Sequence, residues 1–185
     1  MKPGVRVSGG EFRGRGLAVP PGARPTEGRV REALFSIWGE RIAGVRFLDL
    51  FAGSGVVGLE AAGRGARRVL AVDADPKAVR TVEANAGSIG VGRFAVRRLT
   101  LPAGLGRLLA EGAGPFDLAF ADPPYAFAEY GPLLIAAAAL LAEEDSEIVV
   151  EHASRTELPA AAGPLERFDV RRYGESSLSF YRLLR

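Results

Sequence analysis

The chain of 185 residues has no cysteine, one histidine (His152) and only two lysines, Lys2 and Lys77. Without cysteine there are no disulfides and no thiolate metal sites. A single imidazole would leave a zinc cage to be built almost entirely from carboxylates, so no metal is expected. Long apolar runs are missing too: the longest, LLIAAAALLA at 133–142, is too short to cross a bilayer, and the start MKPGVRVSGG has no apolar segment of signal-peptide length. These absences predict a soluble, cytoplasmic protein with no membrane partner. The length suits one domain with a sizeable core, taken as a monomer. Arginine outnumbers lysine heavily and methionine occurs once, a bias of heat-adapted or GC-rich sources that bears on stability and not on function.

The net charge of +2 is unevenly spread. Residues 1–31 carry Lys2, Arg6, Arg13, Arg15, Arg24, Arg29 and Arg31 against Glu11 and Glu27, which is +5 at one end and −3 over the rest. A basic arm on a neutral-to-acidic body is a footprint compatible with nucleic acid.

Five short apolar runs rich in branched or aromatic residues read as buried strands: RFLDLF (46–51), RVLAVD (68–73), FAVRRL (94–99), FDLAFA (116–121) and EIVVEH (147–152). Helical stretches separate them at 58–65, 76–89, 102–112 and 130–144. Strand-helix-strand repetition predicts an α/β, Rossmann-like, doubly wound, mostly parallel sheet. Residues 165–184 read as two more strands around YGESS, an antiparallel hairpin that brings the sheet to seven strands. Residues 5–19 read as a short amino-terminal hairpin, and Thr26 can cap a helix from Glu27 to about Gly39. This gives an arm, 1–25, ahead of a main domain, 26–185.

In DLFAGSGVVGLE, Gly53, Gly55 and Gly58 have G-x-G-x-x-G spacing after a strand and before a helix, and Asp73 ends the next strand. In that context the pattern predicts nucleotide binding, with Asp73 accepting from both hydroxyls of a ribose. Asp49 closes the first strand just before the loop. A pyrophosphate would face it at close range, whereas S-adenosylmethionine brings a sulfonium and an ammonium, so the charge logic favours that donor over NAD. The plain alternative is that Asp49 only caps the loop.

FADPPYAF, at 120–127, places a carboxylate, two prolines and an aromatic at the end of the fourth strand. Residues before proline are pushed into extended backbone, so Asp122 and Pro123 are held with their carbonyls fixed in direction. A purine's exocyclic amine is a poor nucleophile because its lone pair is delocalised into the ring. Accepting one N–H at Asp122 and the other at the Pro123 carbonyl would orient that lone pair and stabilise the developing positive charge. Tyr125, behind Pro124, can stack on the base.

The acid-Pro-Pro-Tyr segment resembles the amino-group methyltransferases. Together with RVSGGEFRGRGLAVP, RPTEGRVREALF, LDLFAGSGVVGLEA and VDADPKAV, it resembles the RsmD family, 16S rRNA (guanine-N2)-methyltransferases, over nearly the whole chain. The resemblance implies a class I methyltransferase fold and S-adenosylmethionine as donor, with S-adenosylhomocysteine as product. Asp49 and the loop of Phe51, Ala52, Gly53, Ser54 and Gly55 would hold the methionine end of the donor. Asp73 and Ala74 would hold ribose and adenine, with backbone near Leu99 and Thr100 on the adenine edge. That last position departs from related methyltransferases, which usually place an acid or amide there. Arg24, Pro25 and Thr26 would close over the donor, while Asp122, Pro123, Pro124 and Tyr125 would hold the guanine. Arg6, Arg13, Arg15 and Arg29 would grip phosphates of 16S rRNA within the small ribosomal subunit or an assembly intermediate. His152 matches no family feature and reads as a structural residue. The rival readings are adenine-N6 methylation of DNA, which shares the acid-Pro-Pro-Tyr signature, and a non-catalytic RNA-binding assembly module.

Overall fold

The computed structural model describes residues 4–21, 28–142 and 145–184. The chain divides into two compact units, Met1–Arg98 and Leu99–Arg185.

The first unit opens with a hairpin of two short strands, β1 (Val5–Arg6) and β2 (Gly16–Leu17), paired antiparallel. Helix α1 (Gly28–Trp38) follows, then a 3-10 turn over Gly39–Ile42. The Thr26 cap expected for α1 lies outside the described residues. Val30, Leu34, Phe35 and Trp38 form the buried stripe of α1, spaced as a core-facing helix requires. Trp38 meets Phe35 and Phe47 edge-on, at centroid distances of 5.8 and 5.6 Å.

Strands β3 (Arg46–Leu50), β4 (Arg68–Asp73) and β5 (Phe94–Arg98) form a parallel ladder with β4 in the middle. Val69, Leu70, Ala71 and Val72 are all buried, which is why β4 reads as a continuous apolar run. Helices α2 (Val56–Gly63) and α3 (Pro76–Ile89) are the crossovers. The bounds of α3 and β4 agree with the sequence reading, because local chemistry sets both ends of α3. The Asp75 side chain accepts from the Lys77 N–H, Pro76 supplies a pre-set φ, and Gly90 ends the helix at φ 81°. Strand β3 stops one residue early because Phe51 turns to φ 58°, and α2 starts at Val56, directly after the left-handed Gly55.

In the second unit, β6 (Leu118–Ala121) pairs parallel with β7 (Glu147–Ala153). Antiparallel to β7 lies β10 (Ser176–Leu183), paired in turn with β9 (Leu165–Tyr173), the expected carboxyl-terminal hairpin. A two-residue strand, β8 (Ala161–Ala162), pairs with β9 in addition to the seven strands foreseen. Two alanines carry no strand signal of their own.

Helices α4 (Leu105–Ala110) and α5 (Tyr130–Ala138) are both shorter than their apolar periodicity suggests. The Thr100 carbonyl accepts from the Gly104 N–H at 2.7 Å, so a turn precedes α4. Beyond α5, the Leu140 carbonyl accepts from the Phe116 N–H, and the Ala142 N–H donates to the Phe116 carbonyl. This bridge takes the backbone that would have continued α5, and it leaves Phe116 and Asp117 outside β6. No helix among the described residues is long and apolar enough to cross a membrane.

Candidate active site

At the carboxyl end of β3 the backbone makes a glycine-rich turn of alternating hand. Phe51, Gly53 and Gly55 have φ of 58°, 57° and 75°, a conformation glycine adopts freely and phenylalanine only at a cost. Each glycine answers a different demand. A Cβ on Gly55 would come 2.8 Å from Val82 Cγ1, and one on Gly58 would come 3.0 Å from the Asp49 carboxylate and 3.1 Å from Val69. Gly58 therefore lets α2 lie directly on β3 and β4, and Gly55 lets α3 approach the loop.

Both acids read from the sequence hold this loop. Asp49 is buried and accepts from the Gly58 N–H at 2.9 Å, so it satisfies an orphan amide in the first turn of α2. The capping role weighed as the plain alternative is thus present. Asp73, at the tip of β4, accepts from Gly53 N–H at 2.9 Å and from Asp75 N–H at 2.9 Å. It ties the loop to the neighbouring strand, beside exposed Ala74. Next to Ala74, the Arg98 side chain donates to the Ala74 carbonyl at 3.3 Å.

Two residues missed by sequence reasoning complete this architecture. Asn85 of α3 is buried, accepts from the Ala18 N–H at 3.0 Å, and donates to the Ala18 and Ser54 carbonyls at 2.9 and 2.8 Å. Glu60 of α2 is fully buried. It accepts from the Ser8 N–H and hydroxyl, from Arg31 Nε at 3.0 Å, and from Arg64 Nη2 at 2.7 Å. Arg31 also donates to the Arg6 carbonyl at 2.7 Å, so the buried charge cluster fastens the hairpin to α2. The glycines of SGG serve the same junction. A Cβ at Gly9 would collide with the Arg64 guanidinium, and one at Gly10 with the Gly63 backbone. The signal for both residues was available: a polar side chain in the apolar stripe Ala78, Val82, Asn85, and a carboxylate inside the otherwise apolar α2.

The arginines read as RNA contacts are all exposed: Arg6 on β1, Arg13 and Arg15 between β1 and β2, and Arg29 at the start of α1. Arg6 donates to the Gly14 carbonyl at 2.8 Å. Arg24, Pro25 and Thr26, read as closing over the donor, lie outside the described residues.

In the second unit, Asp122 is half-buried and Pro123 buried, while Pro124 and Tyr125 are exposed, Tyr125 at 59%. The Phe127 N–H donates to the Pro124 carbonyl at 2.8 Å, closing a turn that carries Tyr125. No hydrogen bond to the Pro123 carbonyl forms among the described residues. Phe127 meets Tyr130 edge-on at 5.2 Å, an aromatic pair behind the motif that was also missed. Burial, and then the charge of Asp122, raises the Tyr130 phenol above its ordinary value. Leu99 is half-buried and Thr100 exposed, immediately after β5. No group of three or more His, Asp or Glu residues able to hold a metal occurs among the described residues.

His152 is buried, with Nε2 2.8 Å from the Ser179 hydroxyl and Nδ1 3.0 Å from the Ala153 carbonyl. It joins β7 to β10.

The parallel strand-helix-strand ladder with a glycine turn at the end of β3 and an acid at the tip of β4 has the class I methyltransferase fold. "Putative methyltransferase yhhF from Escherichia coli" is 30% identical and superposes with a TM-score of 0.81 over 97% of this chain and 98% of that one. Methyltransferases only 15% and 22% identical share the fold at TM-scores of 0.71 and 0.72, and another was solved complexed with SAH. The chain belongs to the family described as "Conserved hypothetical protein 95", which matches residues 5–182. Among its relatives, "Putative rRNA methyltransferase YlbH" of Bacillus subtilis (strain 168) is 36% identical over 96% of this chain and 98% of that one. "Ribosomal RNA small subunit methyltransferase D" of Escherichia coli (strain K12) is 37% identical over 65% of this chain and 60% of its own length.

Proposed function

We propose that the protein transfers a methyl group from S-adenosylmethionine to the exocyclic N2 of a guanine in 16S rRNA of the small ribosomal subunit. The observation that carries this reading is the rigid Asp122-Pro123-Pro124-Tyr125 turn in a chain whose relatives are named for ribosomal RNA. Residues 1–25 act as the RNA-contacting arm and 26–185 as the methyltransferase domain.

The first unit's loop fits the donor. Its turn is glycine-rich and closely packed, a Cβ on Gly55 meeting Val82 at 2.8 Å and one on Gly58 the Asp49 carboxylate at 3.0 Å, and its acids answer a cationic ligand carrying a ribose, not a pyrophosphate. Asp49 and residues 51–55 would hold the methionine end, Asp73 with Ala74 would hold the ribose and adenine edge, and Leu99 and Thr100 are proposed as adenine contacts. S-adenosylmethionine, which matches the SAH seen in a structural relative, supplies an electrophilic methyl group on a sulfonium. Asp122 and the Pro123 carbonyl accept the two N–H bonds of the guanine amine, direct its lone pair and stabilise the charge that grows on nitrogen, and Asp122 takes the proton that the nitrogen gives up as the methyl group bonds to it. Tyr125 offers its exposed ring to the base face.

Calorimetry with S-adenosylmethionine and with NAD tests the donor assignment. Binding of the first alone is expected, and binding of neither would end the enzyme reading in favour of an assembly module.

A further inference from the structure

We infer that Asn85 is a positioning residue that couples the donor loop to the amino-terminal arm, so that filling the loop and fixing the chain at Ala18 are one event. The inference rests on the donor role proposed for residues 51–55. Helix α3 turns the stripe Ala78, Val82 and Asn85 inward, and a helix of this spacing asks for an apolar residue at the third place. A carboxamide there has to be satisfied by hydrogen bonds, and Asn85 is satisfied by backbone alone. Both polar backbone atoms of Ala18, 67 residues away, go to this one side chain, and the remaining N–H reaches the Ser54 carbonyl in the middle of the donor loop. Ser54 is itself buried.

One helical turn earlier, Val82 leaves no room for a Cβ on Gly55. The loop is therefore pressed on α3 at Gly55 and hydrogen-bonded to it at Ser54, with no slack between the two. Ala18 directly follows β2, the second strand of the arm that carries Arg6, Arg13 and Arg15. Any adjustment of the loop on donor binding moves the carboxamide that holds Ala18, and an arm fixed in advance by RNA presets the loop in return, since such coupling is reciprocal.

Amide hydrogen exchange on the unmodified protein reads this directly, because the Ala18 N–H is one of the bonds in question. Saturating S-adenosylhomocysteine is expected to slow exchange at residues 17–19 by roughly fivefold or more. Asn85→Ala and Asn85→Asp, the latter keeping shape and losing both donors, are expected to bind S-adenosylhomocysteine about tenfold more weakly per folded molecule, the scale of one lost hydrogen bond, and to lose the Ala18 response. A merely structural role would lower the melting temperature and leave donor affinity per folded molecule unchanged, and that result overturns the inference. Unchanged Ala18 exchange in unmodified protein that does bind the donor overturns it as well. Failure of the unmodified protein to bind the donor is a different outcome, which removes the functional reading and this coupling together.

Discussion

Asp122 has the most direct consequence of any single residue. Asp122→Ala is expected to lower methyl transfer by ~10²–10⁴, the scale of a positioned proton acceptor, with donor affinity nearly unchanged. Steady-state kinetics beside donor calorimetry checks this, and an equal loss of donor binding would show that Asp122 has been given the wrong task. His152 makes a separate prediction about stability. Burial, helped by the nearby positive charges of Arg167 and Arg172 and opposed by hydrogen bonds to backbone carbonyls, lowers its pKa below the ordinary 6.5. The unfolded chain then binds the proton more readily, so stability is complete above pH 6.5 and declines as pH falls below it. Urea unfolding midpoints between pH 8 and 5 should show that slope, and His152→Gln should flatten it. At this scale the sequence was informative where a residue's chemistry is local. Asp73 and the glycines sit where their spacing put them, because a strand tip and a tight turn depend on a few adjacent residues. Asn85 and Glu60 stand out as polar residues in apolar stretches, but their roles were not legible because what satisfies them, Ala18 and Ser8, lies 67 and 52 residues away.

Among the elements, the junction of hairpin and α2 has the sharpest test. Arg31→Met leaves the fully buried Glu60 with Arg64 and Ser8 alone, and removing one partner of a buried pair costs about 3 kcal/mol. Chemical denaturation should report that loss, with faster proteolysis inside residues 8–15. An Arg31→Met protein of unchanged stability and unchanged arm protection would show that the cluster does not hold the hairpin. Elements with their own punctuation were legible from sequence: α3, bounded by Asp75, Pro76 and Gly90, agrees at both ends. Helix α5 was not, because the backbone at Leu140 and Ala142 pairs with Phe116, and no feature of the alanine-rich run announces that competitor. Strand β8 was invisible for a related reason, since its two alanines are ordered by their pairing with β9.

For the whole molecule, a basic arm and the proposed methyl-transfer site share a chain of small net charge. Replacing Arg13 and Arg15 together with alanine should weaken RNA binding and reduce its salt slope by about two, one for each lost phosphate contact. An unchanged slope would clear the arm of that task. The proposed function is tested by transfer of labelled methyl from S-adenosylmethionine to small ribosomal subunits purified from cells lacking this gene, followed by nucleoside analysis of the 16S rRNA. Label in N2-methylguanosine is expected, with none in subunits that already carry the modification. Label confined to N6-methyladenosine, or no label despite tight donor binding, would contradict the proposed function.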